Sequence, residues 1–474
     1  MAYTRHHHAT LDPGRAVLVA ERAGLAPPAM RYACELGFGQ GLSLAIHASA
    51  SRTEWWGVDV LPQHVEFAKS LIDDPQARDR LVCANFEQFD AREDLPSFDF
   101  IALHGVWSWI SPQNRARIAA FIDRRLAPNG IVYLGYNALP GWGSVLSLRE
   151  LLVAGASQDP SALIEDRIES ALSFAAKVIA SDPRILESQP QFEKQLREIR
   201  SKKKSYLAHE YFNRDWHPMH FSQVAGELAP LGLCYLGQAD FSDSYDQWRL
   251  TETQRALLAD IDDVLLRETA RDMTVDRRFR RDYWVRSEVA LRRASYSSLQ
   301  TRLWIPPAIR TSDVKAPAEV LEWLASLGAP GSIVSRLIET TADHAALGYA
   351  LGHGLVELAR EPGIAAANRA GVAVVNERIL DRVAQDFEMS VMASHLTGSG
   401  VELGWWTLAL LAAMRRDTSV DVVIDRVMAQ ADQLGIVLSR QGFALTLEEA
   451  RDELRARCSL LFAQADIVSE SFSI

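Results

Sequence analysis

The sequence predicts an α/β fold: a doubly wound parallel sheet interrupted by a helical insertion and followed by mainly helical middle and C-terminal regions. Three observations carry this. Residues 30–140 alternate short apolar runs with helix-length segments, the pattern of strand–helix–strand units in a parallel sheet. Residues 144–204 then show only helical spacing, as in "ALIEDRIESALSFAAKVIA". Finally, "FSQVAGELAPLGLCYLG" (221–237) returns to helix and strand, so the helical stretch is inserted after the fifth strand. At 474 residues the chain is long for one hydrophobic core, and two or three domains are expected.

Each element has a local reason. "YACEL" (32–36), "WWGVDV" (55–60), "LVCA" (81–84), "FDFIAL" (98–103) and "IVYLGY" (131–136) are apolar runs of strand length. Before the fifth run, Ser111 is placed to cap a helix, Pro112 suits its first position, and Asn129-Gly130 follow its end. Residues 245–300 read as helical, the basic run "RRFRRDYWVR" (277–286) being a solvated helix face. Beyond "LWIPPAIR" (303–310), helical units such as "AEVLEWLASLG" and "GSIVSRLIETT" dominate, with a boundary at Pro306-Pro307 and Lys315-Ala316-Pro317. The expected division is a sheet domain over 1–143 and 206–245, an insertion over 144–205, a helical middle region over 246–305 and a helical C-terminal domain over 306–474.

Composition narrows the function. With 48% hydrophobic and 23% charged residues, the chain is an ordinary folded protein. A net charge of -11 disfavours nucleic acid or an anionic membrane as a non-specific partner. Cys34, Cys83, Cys234 and Cys458 are widely spaced without C-x-x-C, which fits a reducing, cytoplasmic setting without structural zinc. The most apolar stretch, "WWTLALLAAM" (405–414), is too short to span a bilayer. Adjacent histidines in "YTRHHH" rarely give metal-ligand geometry, so no metal is expected; the segment is expected to fold over a ligand, with Tyr3 beside it.

The ligand is suggested by "CELGFGQG". Gly37, Gly39 and Gly41 alternate at a strand end, after Glu35. Glycine is needed there for unusual torsions or close ligand approach. The spacing is G-x-G-x-G, not the dinucleotide G-x-G-x-x-G, and it resembles class I S-adenosylmethionine-dependent methyltransferases with a Rossmann-like sheet. The resemblance implies that Glu35, Gly37, Phe38, Gly39, Gln40 and Gly41 cradle S-adenosylmethionine, with S-adenosylhomocysteine as product. Asp59 ends the second strand, with Val60 beside it, where a carboxylate can accept from both ribose hydroxyls. Asn85 and Phe86 follow the third strand, where these enzymes enclose adenine. His104, Gly105 and Val106 follow the fourth and would line the methionine end. Plainer readings stand beside these: a turn aspartate, a capping Asn85, a hydrogen-bonded structural His104, and tryptophans 107 and 109 packed on the insertion.

Longer strings are more specific. "FDFIALHGVWSWISPQNR", "GIVYLGYNALPGW", "YLAHEYFNRDWHPMHF" and "LLRETARDMTVDRRFRRDYWVR" resemble bacterial methyltransferases with a methyltransferase regulatory domain, among them rickettsial lysine methyltransferases of outer-membrane proteins. Phe38 departs from that family, which usually has a small cysteine there, and is expected to narrow the methionine end. The resemblance implies methyl transfer, for some members to lysines of a protein or peptide. A lysine acceptor must be neutral, which costs about 4 kcal/mol at neutral pH; an aromatic channel lowers that cost. Trp107, Trp109, Tyr136, Asn137 and Trp142 are the candidate channel residues, with Asn137 or the backbone at Tyr136 orienting the amine. An alcohol acceptor would instead call on His104 as base. Small-molecule or glycan methylation and a non-catalytic cofactor-binding regulator remain the alternatives, and the insertion is expected to serve the acceptor or a homodimer.

Overall fold

A computed structural model describes residues 5–243, 245–286, 299–306, 316–384, 388–440, 443–472 and 474. Tyr3 and most of the 306–317 boundary lie outside the described residues. Strands β1 (Tyr32–Leu36), β2 (Glu54–Asp59), β3 (Leu81–Cys83), β4 (Phe98–His104), β5 (Leu126–Asn137), β6 (Leu233–Gln238) and β7 (Phe279–Arg286) form one sheet in the order β3-β2-β1-β4-β5-β7-β6. The first five pair in parallel, and β7 runs antiparallel between β5 and β6. The order reverses at β1 and β4, so their carboxyl ends open the crevice where such sheets bind ligands.

Both faces of the parallel strands are apolar because both are covered. Ala33, Trp55, Phe100 and Tyr133 point to one core, and Cys34, Trp56, Ile101 and Tyr136 to the other. The first core runs without a break from Leu11 to Phe472, so the C-terminal region is packed on the sheet domain. Its helix Pro362–Val383 completes that domain's helix ends: Asn368 Nδ2 donates to the Ala50 carbonyl at 2.8 Å, and Arg378 Nη1 to that of Ile72 at 2.5 Å. By contrast, the insertion carries its own core, built on Leu152, Ile168, Leu172, Phe192 and Leu196.

Three local expectations need correction. The helix capped by Ser111 ends at Arg125, and 126–130 already belong to β5. "IVSRLI" forms a strand, Ile333–Ile338, paired with Leu299–Trp304. Most importantly, the basic run over 277–286 enters β7 at Phe279 and is not a helix. Its side chains alternate: Tyr283 and Val285 join one core, Trp284 the other. Arg280 and Asp282 are buried and pair at 2.7 Å; Arg280 also reaches Asp272 at 2.8 Å and Glu268 at 2.9 Å, both on helix Val264–Thr274. These charges are matched inside the protein, while Arg278 of the same run is exposed.

Candidate functional site

The β1 loop is shaped by its glycines. Gly37 has φ +74°, and a Cβ there would come 2.6 Å from Val106 Cγ2, so the loops after β1 and β4 meet at a point where no side chain fits. Gly39 has φ +58°, yet its missing Cβ would face open space, with nothing within 4 Å. The backbone is thus bared toward the crevice at Gly39. Gly41 then begins helix Leu42–Ala50, whose first N–H groups favour electron-rich ligand atoms. Gln40 is buried beside it.

Asp59 holds this loop. Its Oδ2 accepts from Gly39 N at 2.9 Å, its Oδ1 from Leu61 N at 2.9 Å, and His64 Nδ1 lies 3.1 Å from Oδ1. A carboxylate has about four acceptor directions, so the protein leaves room for about one ribose hydroxyl, where two were expected. Next to it Val60 is 65% exposed, an apolar surface suited to one face of a base. Asn85 takes its plainer role: Oδ1 accepts from Gln88 N at 2.8 Å and caps helix Phe86–Asp90, with Phe86 half-buried at the helix start. Phe38 turns its ring inward, against the Gly41 and Gly57 backbones, and only its main chain follows the loop. The ring fills core space, and Phe38 also borders the small cavity at this loop.

Glu35 and the N-terminal segment close the opposite side. Burial, and then the charge of Asp59, raise the Glu35 pKa to about 8, and its Oε2 has no protein partner. His6 and His8 lie over the loop, bounding with Glu35, Gly39 and His104 a cavity of about 70 Å³. His8 N donates to Ser43 Oγ at 2.8 Å, and the His8 ring stacks on His104 at 3.7 Å. Further ties reach the C-terminal region: Gly400 N donates to His7 Nε2 at 3.3 Å, and Arg5 N to Glu388 Oε2 at 3.0 Å. Among the described residues no group of three His, Cys, Asp or Glu is arranged to hold a metal. His104 itself faces Tyr133 OH at 2.7 Å through Nδ1, and burial, then His8, depress its pKa well below the usual value. Gly105 turns the chain at φ +68°.

The acceptor-side residues divide. Trp107 is buried and donates its indole N–H to Glu227 Oε2 at 3.0 Å; it packs under the sheet. Tyr136 is also buried and donates to Asp282 Oδ2 at 3.1 Å, which ties it to the Arg280 network. Neither lines a channel. Trp109, Asn137 and Trp142 do come together, around a residue that carried no role in the sequence, Trp216. Its ring lies 6.3 Å from Trp109 and 5.4 Å from Trp142, which also meets Tyr211 at 6.3 Å. Ser108 ties Asn137 to this cluster, its Oγ accepting from Asn137 N at 2.9 Å and its carbonyl from His217 N at 2.8 Å. Asn137 Nδ2 is buried and unpaired. The only sequence signal for Trp216 was its place in "FNRDWHPMHF".

This sheet order, with a bared glycine loop at the end of β1 and a carboxylate at the end of β2, defines a class I methyltransferase fold. Residues 34–134 match the methyltransferase domain model, and 203–286 the model described as a predicted methyltransferase regulatory domain. These two stretches are thus similar to a methyltransferase domain and to a methyltransferase regulatory domain, in that order along the chain. Among solved structures it is similar to PKMT2 from Rickettsia typhi in complex with AdoHcy, with a TM-score of 0.65 over 99% of this chain and 100% of that one; at 16% identity the likeness is one of fold. An uncharacterized protein of Synechocystis sp. is 33% identical over 294 residues, covering 61% of this chain and 58% of its own. One of Rickettsia prowazekii is 25% identical over 299 residues, covering 59% and 50%. The chain thus spans 58% and 50% of the length of these relatives. No helix among the described residues is long and apolar enough to cross a membrane.

Proposed function

We propose that the chain transfers methyl groups from S-adenosylmethionine to neutral lysine amines of a protein or peptide in a reducing, cytoplasmic compartment. The observation that carries the donor half is the backbone at Gly39, bared to open space and held by Asp59. The residues fit the donor: Asp59 and Val60 for the nucleoside, the β1 loop and Glu35 for the amino-acid end. When bound, S-adenosylmethionine supplies an electrophilic methyl carbon on a sulfonium sulfur.

The chain's own task is alignment, because an in-line displacement is accelerated chiefly by positioning. Asn137, at the end of β5, is the group to orient the amine, its Oδ1 accepting an amine N–H so that the lone pair stays free for the methyl carbon. The aromatic faces of Trp109, Trp142 and Trp216 exclude water and disfavour the ammonium form. An alcohol acceptor is disfavoured by His104, whose Nδ1 is engaged, whose face is covered and whose pKa is depressed. Incubation with labelled S-adenosylmethionine and cell lysate tests the proposal. Label recovered as methyl-lysine supports it; label confined to small molecules, or none, defeats it.

A further inference from the structure

The acceptor-side cluster has an imbalance in its hydrogen bonding. Asn137 Nδ2, Trp142 Nε1, Trp216 Nε1 and Arg149 Nε are all buried without a partner. All four are donors. Such groups buried unpaired are costly, and what would relieve four donors is a group rich in oxygen lone pairs.

Arg149 sharpens this to a negative charge. It is 8% exposed, its guanidinium lies 4.5 Å over the Trp216 ring, and Nη2 donates to the Asn213 carbonyl at 2.5 Å. Among the described residues it makes no ion pair with a carboxylate, although Glu150 adjoins it in the chain. Burial lowers its pKa, and the Glu150 charge opposes that only in part. Arg278 brings a second guanidinium 5.8 Å over Trp142. Nearby, Asp215 faces His217 at 3.6 Å. Buried cations in proteins are ordinarily paired.

We infer that Arg149, with the indole N–H groups of Trp142 and Trp216, forms a subsite for a carboxylate carried by the methyl acceptor, so that the preferred peptide has an acidic residue beside its lysine. This rests on the acceptor side proposed above. The cationic subsite also disfavours an ammonium close by, which suits an amine that must be neutral.

The test uses the full chain loaded with AdoHcy, titrated with Ac-Glu-Lys-Glu-NH2 and Ac-Gln-Lys-Gln-NH2 while tryptophan fluorescence is read. The acidic peptide is expected to bind about tenfold more tightly, in keeping with one charge-assisted contact. In Arg149→Met that preference should fall to within about twofold, while Arg149→Lys keeps part of it. A purely structural Arg149 would weaken both peptides equally, which contradicts the inference. Trp142→Phe, which keeps the ring and removes the N–H, should also narrow the preference. Equal affinities in the unmodified chain, or saturable binding of neither peptide, would overturn the subsite. Tighter binding of Nα-acetyl-lysine than of either peptide would assign the carboxylate to a small acceptor and overturn the peptide form. Loading is followed separately by calorimetry; failure of AdoHcy to bind counts against the donor reading, and the peptide titration still reads the subsite.

Discussion

At the end of β1, Glu35 is a buried acid beside a second carboxylate, and its pKa of about 8 against an ordinary 4.5 has a stability consequence. Below about 4.5 both folded and unfolded chains hold the proton. Between 4.5 and 8 ionisation favours the unfolded chain, so stability falls as pH rises and is level above that window. Glu35→Gln should remove the slope. Urea midpoints at pH 5 and pH 9 check this: the variant should gain a few kcal/mol over the parent chain at the higher pH and little at the lower. Parallel behaviour of the two proteins would mean that Glu35 is ionised in the fold. Glu35, the glycines and Asp59 were legible in the sequence because spacing alone places them at strand ends. Trp107 and Tyr136 were not, because residue type does not tell which face of a sheet a ring occupies.

Strand β7 shows why charge is a poor guide to secondary structure. Its alternation of Arg280, Asp282 and Trp284 on one face against Tyr283 and Val285 on the other is a period of two, hidden by a basic run that reads as solvated. Arg280→Met leaves Glu268, Asp272 and Asp282 facing one another in the core, and should cost about 3–5 kcal/mol in denaturant unfolding; a loss below 1 kcal/mol would place the network in solvent. The N-terminal segment is a strap across the β1 loop, latched by the hairpin of Val391–Ser394 and Ser399–Glu402. A Cβ at residue 400 would lie 2.7 Å from His7 Nε2. Gly400→Val should therefore loosen the strap and speed AdoHcy dissociation by about tenfold, measured by stopped flow. An unchanged rate would show that the strap does not gate the donor.

Across the whole molecule, a single core joins the sheet to the C-terminal region, while the insertion keeps its own. Replacing 144–205 by a short linker should therefore spare AdoHcy affinity and abolish methyl transfer, since Arg149 and the support of Trp216 go with it. Retained transfer in a soluble deletion variant would contradict this. The five parallel strands were legible because apolar runs and glycine turns recur at strand-helix spacing; the antiparallel β7 that completes the sheet was not. The aromatic cluster was not, because Trp109, Trp142 and Trp216 are brought together by a chain that leaves the sheet after β5 and returns more than 60 residues later. Nor was the shared core, because helical periodicity shows that a face is apolar without showing what covers it. The central claim is that the strand-end cradle of Gly39 and Asp59 holds the methyl donor. Titration calorimetry with AdoHcy tests it most directly. Asp59→Ala removes one ribose contact and the anchor of the loop, and should weaken binding at least about tenfold; Gly39→Val should weaken it further, while Asn137→Ala leaves it near the parent value. Unchanged affinity in both Asp59→Ala and Gly39→Val would contradict the account.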